Sequence, residues 1–288
     1  MPSGIVIIDK PADWTSMDVC AKLRGILKER RIGHGGTLDP MATGVLPVFV
    51  GNATKAVEFA EKGDKEYIAG LRLGLTTNTQ DSTGEVLERR MVDAGREELE
   101  AVLPRFTGPI EQVPPMFSAV KVQGKKLYEL ARKGREIERN PRPVTIHALE
   151  ILEQDGPERY LLRVRCSKGT YVRTLCHDIG AALGCGGCMD SLRRTMAAGF
   201  HIGQAVTLER VRERGEALLL PVDSIFADRP VFRLPSPKAE KQVRNGCPIA
   251  VSGLAPGDYR VYGREGEFLC LSRYQNGRLK AIKNFFGG

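Results

Sequence analysis

Residues 31–48 read Arg-Ile-Gly-His-Gly-Gly-Thr-Leu-Asp-Pro-Met-Ala-Thr-Gly-Val-Leu-Pro-Val, a stretch with four glycines and a single acidic residue. Glycine tolerates positive φ and lets a main chain approach a ligand with no Cβ atom in the way. The acidic residue, Asp39, precedes Pro40, and a residue before proline is pushed toward extended backbone. We therefore predict a site loop that projects the Asp39 carboxylate at a fixed angle. A glycine-rich turn capped by an aspartate is the ordinary alternative.

The overall composition is that of a globular protein with a basic surface. The chain has 288 residues, of which 42% are hydrophobic and 27% charged, and its formal net charge is +8. This length allows one large domain or two, and the charge favours a polyanionic partner such as nucleic acid. No apolar run is long enough to span a bilayer and no basic segment precedes the first apolar strand, so we expect a cytoplasmic protein without membrane contact.

The seven cysteines are an odd number in a chain without a secretion signal, so reduced thiols are expected. Cys185 and Cys188 have the spacing of a zinc or redox pair, and His177 lies eight residues upstream of Cys185. A fourth ligand is missing from this neighbourhood, and no second pair follows at the distance that a tetrahedral site needs. We predict no metal site, and two small apolar thiols at a helix exit are the simpler interpretation.

The rest of the chain alternates short strands with amphipathic helices. Residues 4–9 and 45–50 are predicted to be buried strands, and a helix with apolar residues at helical spacing follows Thr15-Ser16. Residues 65–76 alternate as a half-buried strand does, which places Tyr67 on the core side. After residues 226–230, which we interpret as a linker, short strands and turns predict a small β-barrel.

Residues 121–142, called the basic segment below, carry eight Lys or Arg against three Glu. Gly124 and Gly134 bracket one short predicted helix, and Pro141 and Pro143 close the segment. The ordinary interpretation is a solvated helix and hairpin. The alternative is a basic projection that closes on RNA.

Residues 35–44, preceded by Arg-Arg-Ile-Gly-His, resemble the catalytic motif of the TruB family of tRNA pseudouridine synthases. The resemblance extends over roughly residues 4–225, with the motifs in family order. It implies an α+β fold in which a mixed, mainly antiparallel sheet forms a pseudouridine-synthase catalytic domain at residues 1–227. The basic segment would be its thumb insertion, and residues 228–288 would form a PUA-like, RNA-binding β-barrel.

The resemblance also implies roles for individual residues. Asp39 would be the catalytic aspartate, and His34 would contact the RNA as the target base is flipped out. Tyr67 would pack on that base, Tyr171 would line its pocket, and Arg173 would pair with Asp39. An arginine in that place keeps a carboxylate ionised and positioned. The alternative for Tyr67 is a core tyrosine with a satisfied hydroxyl.

Two further residues match the family's motifs. Leu192, in the sequence Leu-Arg-Arg-Thr, would be a wall of the base pocket, although core packing explains a leucine equally well. Lys10, in a Lys-Pro pair, would support the fold around the catalytic loop, and we predict a structural role for it.

The implied reaction converts the uridine at position 55, in the T loop of tRNA, into pseudouridine. No redox step or group donor is required, so we expect no cofactor. The carboxylate could attack the base or the ribose, or assist glycosidic cleavage, and a base must then remove a proton. The sequence does not distinguish these routes.

Two other functions are compatible with the same scaffold. The first is a non-catalytic tRNA-binding or RNA-chaperone protein, which the presence of Asp39, Tyr67 and Arg173 argues against. The second is a guide-RNA-dependent enzyme, which the lack of visible partner-binding extensions disfavours. We therefore expect a monomer that binds the T arm of tRNA without a guide RNA or a protein partner.

Overall fold

A computed structural model describes residues 2–118, 120–122 and 124–286 and, for Lys121, only the backbone. Gln123 of the basic segment and the ends of the two predicted domains, Met1 and residues 287–288, lie outside the described residues. The strands of the first sheet and its insertions are β1 (Gly4–Lys10), β2 (Ile32–His34), β3 (Thr43–Val50), β4 (Lys65–Leu73), β5 (Leu75–Thr77), β6 (Val86–Arg89), β7 (Gly108–Gln112), β8 (Lys121–Val122), β9 (Lys125–Lys126), β10 (Arg142–Gln154), β11 (Arg159–Cys166), β12 (Gly187–Ala197) and β13 (Phe200–His201).

The described residues contain seven α-helices besides short 3-10 turns: α1 (Ser16–Leu27), α2 (Val57–Lys62), α3 (Arg96–Val102), α4 (Leu127–Ala131), α5 (Val172–Ala182), α6 (Leu208–Arg214) and α7 (Pro237–Arg244). The C-terminal strands are β14 (Val231–Arg233), β15 (Ile249–Ala250), β16 (Gly257–Tyr262), β17 (Phe268–Gln275) and β18 (Arg278–Asn284).

The main sheet has the strand order β1-β3-β12-β4-β11-β10-β7, with β2 also paired to β3 and β13 to β12. Its pairings are antiparallel except for a short parallel contact between β12 and β3. Helices α3 and α5 pack on the part of this sheet around β4 and β11. Helix α1 packs on the part around β1 and β3. The predicted α+β class, with a mixed and mainly antiparallel sheet, is confirmed.

The burial pattern explains the sequence pattern of the strands. β1 and β3 are covered on both faces by separate apolar clusters, which is why each reads as a continuous apolar run. β4 lies between β12 and β11 and buries Tyr67, Ala69, Leu71 and Leu73 on one face, as its alternation predicts. Helix α1 begins after Thr15, whose side chain caps it in a capping box with Asp18.

Residues 231–284 form a second, curled sheet of five strands in the order β14-β16-β17-β18-β15. This sheet is packed against the first one through aromatic rings. Phe226 is only 4% exposed, and its ring centroid lies 5.0 Å from that of Phe59 and 5.9 Å from that of Phe285. Lys283 also pairs with Glu58 at 2.8 Å. Phe226, which the sequence placed in a linker, is therefore part of a packed junction.

Candidate active site

Asp39 lies in residues 35–42, called the Asp39 loop below, which join β2 to β3. Ser16, the first residue of α1, fixes the main chain beside it: the Leu38 N–H donates to Ser16 Oγ at 2.9 Å, and Ser16 Oγ donates to the Leu38 carbonyl at 3.3 Å. Leu38 is 3% exposed, whereas the Asp39 side chain is 37% exposed. The loop therefore buries its leucine and leaves the carboxylate of Asp39 partly exposed.

Two buried cations support this loop through main-chain carbonyls. Lys10 Nζ donates to the carbonyls of Pro11, Trp14 and Pro40 at 2.8, 2.6 and 3.0 Å. Arg194, 1% exposed, donates to the carbonyl oxygens of Val45 at 2.7 Å, Gly36 at 3.0 Å and Thr37 at 3.4 Å. Neither cation forms a salt bridge with a carboxylate of the described residues. Burial lowers the pKa of Lys10 to about 8, although Asp13 and Asp39 oppose this shift.

The glycines of this region have a packing role. A Cβ atom on Gly35 would lie 2.4 Å from Ala60 Cβ. A Cβ atom on Gly44, where φ is +101°, would lie 2.2 Å from the Arg194 carbonyl oxygen on β12. The sequence predicted that these glycines let the backbone approach a ligand. At Gly35 and Gly44, the backbone instead lies close to other parts of the protein itself.

Arg173, in the first turn of α5, faces Asp39 directly. The guanidinium Nε lies 3.0 Å from Asp39 Oδ2, and Arg173 is 6% exposed. The same guanidinium lies 3.4 Å from Asp81 Oδ2 through Nη1, which also donates to the Thr79 carbonyl at 3.1 Å. Burial, the largest effect, and the neighbouring Asp81 raise the pKa of Asp39, whereas Arg173 and Lys10 lower it. The net shift of the Asp39 pKa is upward. Arg173 thus offsets only part of the cost of burying this carboxylate.

Asp81 contacts the guanidinium of Arg173 and is fixed in place by hydrogen bonds within its own turn. Its Oδ1 accepts hydrogen bonds from the hydroxyls of Thr79 at 2.8 Å and Thr83 at 2.6 Å, and from the Thr83 N–H at 3.0 Å. Arg173 is therefore placed between two carboxylates, Asp39 with a side chain that is 37% exposed and Asp81, which is 5% exposed. Of the two, Asp39 is the one that reaches the surface.

The walls near Asp39 are apolar. Tyr67 and Leu192, each 8% exposed, share one core cluster with Leu38 and with Val172 of α5. Burial raises the pKa of Tyr67, opposed by the nearby Arg194, so the phenol is protonated at neutral pH. Tyr171, the residue before α5, is half-buried. The structure thus pairs Asp39 with Arg173, places Tyr67 within electrostatic reach of Asp39, and puts Leu192 in the same core cluster as Leu38. Lys10 lies beneath the loop.

His34 stands at the other end of the loop, at the end of β2, where its register partner on β3 is Val48. The imidazole is half-buried, and its Nδ1 has no hydrogen-bond partner in the described residues. Burial lowers the pKa of His34, and Arg194 acts in the same direction. The ring is therefore neutral at physiological pH.

The basic segment contains the two-residue strands β8 and β9 and the short helix α4. Leu127 anchors it with no exposed surface, while Lys125, Arg132 and Lys133 are exposed. The Tyr128 ring lies between Lys126 Nζ at 5.4 Å and Arg132 Cζ at 5.3 Å from its centroid. The short helix predicted between the two glycines is confirmed.

The described part of the chain offers neither a metal-binding cluster nor a helix that could cross a membrane. Across residues 2–118, 120–122 and 124–286, no group of three or more His, Cys, Asp or Glu side chains is arranged to hold a metal ion. Cys185 and Cys188 are buried, and the Cys185 thiol donates to the Gly186 carbonyl at 3.4 Å. None of the helices in the described chain combines the length and hydrophobicity that crossing a membrane requires.

Sequence reasoning missed three residues of this site: Arg194, Asp81 and Gln112. Gln112, 2% exposed, forms two hydrogen bonds with the main chain of Tyr171. The available signals were weak, because Asp81 reads as a turn residue and Gln112 as a strand end. Arg194 had the clearest signal, since it lies within the strand-like run of residues 187–197, where a charged side chain needs a partner.

Comparison with known proteins agrees with this geometry. Residues 24–172 match the model of the N-terminal domain of TruB family pseudouridylate synthases, and residues 173–227 match the model of the C-terminal domain of tRNA pseudouridylate synthase B. The chain is 49% identical over 286 residues to a tRNA pseudouridine synthase B of Pseudomonas putida, covering 96% of this chain and 93% of the relative. For the tRNA pseudouridine synthase B of Dechloromonas aromatica, the identity is 44% over 280 residues, with the same coverage.

Among solved structures, a chain in the crystal structure of a Cbf5-Nop10-Gar1 complex matches with a TM-score of 0.76 and 26% identity. The match covers 98% of this chain and 85% of that one. Together with the family models and the relatives above 40% identity, it leads to one conclusion. The chain belongs to the TruB family of pseudouridylate synthases.

Proposed function

We propose that the protein isomerises a uridine of tRNA to pseudouridine, and that the target is position 55 in the T loop. The observation that carries this proposal is the Asp39 carboxylate, partly exposed in a pinned loop and 3.0 Å from the buried Arg173. The relatives named tRNA pseudouridine synthase B support the reaction and the tRNA substrate.

Asp39 is the catalytic residue in this proposal. The reaction breaks the N1–C1′ bond, turns the uracil and forms a C5–C1′ bond. C5 loses one proton and N1 gains one, so the atoms balance without a group donor or an oxidant. Arg173 approaches one carboxylate oxygen, Oδ2, and orients the group. The other oxygen is then presented for attack on the base or ribose, or for assisting cleavage of the glycosidic bond. A carboxylate with a pKa raised by burial is also more basic than one in water.

In this proposal, His34 and the apolar walls of the pocket stabilise the target base after it has left its stack in the RNA. Removing a nucleotide from its stack costs a few kcal/mol, which aromatic and apolar contacts offset. Tyr67 packs on the flipped base, with Leu192 and Tyr171 as further pocket walls. The neutral ring of His34 takes part in the flip, because stacking on a base requires no charge. Lys10 remains a structural support of the loop.

RNA affinity in this proposal comes from two basic regions. The basic segment closes on the T arm, and the C-terminal unit, taken as residues 228–288, adds a PUA-like RNA-binding surface to the catalytic domain of residues 1–227. The exposed cations Lys125, Arg132 and Lys133 suit contacts with phosphates. We infer that the enzyme acts as a monomer in the cytoplasm, without cofactor, guide RNA or partner protein.

A single assay tests this function. The purified protein alone, in EDTA, should release tritium from C5 of one uridine in a T-arm hairpin. The matched control is the same hairpin with cytidine at the target position, which should release none above background. Binding of the uridine hairpin without tritium release would favour the non-catalytic function. Release only after addition of a guide RNA or cell extract would favour a guide-dependent enzyme.

A further inference from the structure

Gln112, the last residue of β7, is the starting point of a further inference. Its amide is 2% exposed and pairs with the main chain of Tyr171 on both sides. The Tyr171 N–H donates to Gln112 Oε1 at 2.8 Å, and Gln112 Nε2 donates to the Tyr171 carbonyl at 3.0 Å. A side-chain amide that offers both a donor and an acceptor to one residue fixes the position of that residue's backbone.

Tyr171 is the residue from which α5 starts. Its carbonyl also accepts the first helical hydrogen bond, from the Leu175 N–H at 3.0 Å, and no side chain of its own caps the helix. Arg173 follows two residues later, and its guanidinium reaches Asp39. A shift of Tyr171 would therefore move the start of α5 and, with it, the guanidinium that orients the carboxylate.

A second contact joins the same helix to the root of the basic segment. Arg173 Nη2 donates to the Phe117 carbonyl at 2.9 Å. Between Gln112 and Phe117 lie Val113, which is exposed, and Pro114, Pro115 and Met116, which are buried. This stretch is short and stiff because proline restricts φ and the residue before it. The chain that leads into the basic segment is thus fastened at both ends to Tyr171 and Arg173.

We propose that Gln112 is a positioning residue for Asp39, acting through Tyr171 and Arg173, and that it couples the root of the basic segment to the catalytic ion pair. The proposal rests on the proposed function. Closure of the basic segment on RNA pulls on residues 112–117, and the hydrogen bonds to Tyr171 and Arg173 carry that displacement to the carboxylate. The expected consequence is that loss of Gln112 affects the chemical step more than RNA binding.

The test compares Gln112→Met with wild type in single-turnover tritium release at saturating enzyme. Met has nearly the same length but offers neither hydrogen bond. We expect the rate to fall on the order of 10- to 100-fold, the size of effect that a displacement of about 1 Å produces at a catalytic group. Affinity for the T-arm hairpin should stay within about twofold, because no contact with phosphate is removed.

Val144→Ala is the matched control for stability. Val144 is buried on β10, the strand paired with β7, and touches neither hydrogen bond of Gln112. It should lower the melting temperature and leave the single-turnover rate unchanged well below that temperature. Equal rate losses in the two variants would overturn the proposal, as would a wild-type rate in Gln112→Met. If Gln112→Met does not fold, Gln112→Glu replaces it, since it has the same size and loses the donor to the Tyr171 carbonyl.

A second readout separates positioning from general loosening. The charged groups facing Asp39 are Arg173 on α5, Asp81 in the turn after β5 and Lys10 at the end of β1. Because Arg173 lowers the pKa of Asp39, displacing it should raise that pKa further, and the acid limb of the rate profile should move to higher pH in Gln112→Met but not in Val144→Ala. A 13C NMR titration of the Asp39 carboxyl, assigned with Asp39→Asn, measures the same shift without turnover. If wild type converts RNA but the Asp39 resonance of Gln112→Met titrates as it does in wild type, the coupling alone is refuted. An inactive wild type would refute the proposed function alone.

Discussion

The Asp39 loop and the basic segment are both expected to face RNA, but they are held in opposite ways. The loop is fixed from beneath by the side chains of Lys10, Ser16 and Arg194, which bond to its main-chain carbonyls and amides. Among the described residues of the basic segment, Leu127 is the one fully buried side chain, and the described parts of strands β8 and β9 pair with each other and not with the main sheet. The proposed function thus places the chemistry on the region with several side-chain supports and the phosphate contacts on the region with few.

The difference has a physical reason. A catalytic carboxylate is effective only when its geometry is set before the substrate arrives, because reorganisation at the moment of reaction adds to the barrier. Phosphate contacts act through charge and tolerate adaptation, and a segment that orders on binding can enclose more of its partner. Perturbing the loop should therefore change rate and stability, and perturbing the basic segment should change affinity and its dependence on salt.

The largest effect is expected for Asp39→Asn. The amide preserves the shape of the side chain but removes the anion, so tritium release should fall by more than the roughly 10²–10⁴-fold typical of a lone general acid–base residue. RNA affinity, measured by filter binding, should survive. Turnover near the wild-type rate would show that Asp39 is not catalytic. A thermal melt of the variant is the control, and if it is unfolded, Asp39→Ser is measured in its place.

The second effect concerns the support beneath the loop. Arg194→Lys keeps the positive charge. It replaces a guanidinium that donates hydrogen bonds to three carbonyl oxygens with a single ammonium group on a shorter side chain. Leaving buried carbonyls without donors should lower the free energy of unfolding by about 2–4 kcal/mol, measured by urea denaturation. The rate of tritium release should fall as well, because the Asp39 loop loses the hydrogen bonds that hold the carbonyls of Gly36 and Thr37.

Arg193→Lys is the matched control for this change. Arg193 is adjacent on β12 but half-exposed, and it pairs with Asp9 at 2.8 Å. Replacing it should cost less than about 1 kcal/mol, the range for an exposed ion pair. Equal losses for the two arginines would mean that the loop does not depend on Arg194.

The sequence was informative where a local pattern decides the structure. The alternation of residues 65–76, the cap at Thr15 and the helix between Gly124 and Gly134 rest on near neighbours, and all three are observed. The pairing of Arg173 with Asp39 came from the family resemblance and is seen at 3.0 Å. The catalytic and RNA-binding roles of the site residues stay predictions until the assays above are done.

What the sequence did not reveal depends on contacts between distant parts of the chain. Arg194 reaches Gly36 across 158 positions, and Gln112 reaches Tyr171 across 59, so no window of sequence contains both partners. The same reason explains why Phe226 was predicted to lie in a linker: its ring is buried where Phe59, Phe268 and Phe285, from distant parts of the chain, come together around it. Side chains that bond to main chain leave no pairing signal in the sequence, since every residue has a carbonyl.

A third prediction uses the pKa of Lys10, which burial lowers to about 8 from an ordinary value of 10.5. Between these values the unfolded chain binds a proton that the folded protein has lost, so the contribution of Lys10 to the free energy of unfolding rises with pH through this window. Relative to Lys10→Met, wild type should gain on the order of 1–3 kcal/mol between pH 7 and pH 10. Urea denaturation across this range measures the difference. Lys65, whose pKa burial also lowers to about 8, is present in both proteins and cancels. A flat or falling difference would contradict the assignment.

The smallest effect on the folded protein is expected in the basic segment. The variant replaces four of its cations by Ala: Lys125, Lys126, Arg132 and Lys133. Each lost phosphate contact should remove about 0.7–0.9 from the slope of log affinity against log salt, because fewer counterions are released on binding. The single-turnover rate at saturating enzyme should stay near that of wild type. The free energy of unfolding should change by less than about 0.5 kcal/mol per substitution, since most of the removed charge is exposed.

The matched control removes the same formal charge from exposed arginines elsewhere on the first sheet and its helices: Arg89, Arg96, Arg105 and Arg163. If the basic segment acts only through net charge, the two variants should lose affinity equally, and their salt slopes should coincide. If the segment contacts phosphates, only its own variant should flatten the slope, because long-range attraction is screened beyond about 10 Å at 0.1 M salt. If the basic-segment variant shows an unchanged slope of log affinity against log salt, the segment is an ordinary solvated surface without phosphate contacts. A large loss of rate at saturation would instead show that its cations contribute to the chemical step, and the division of labour between the two regions would then be wrong.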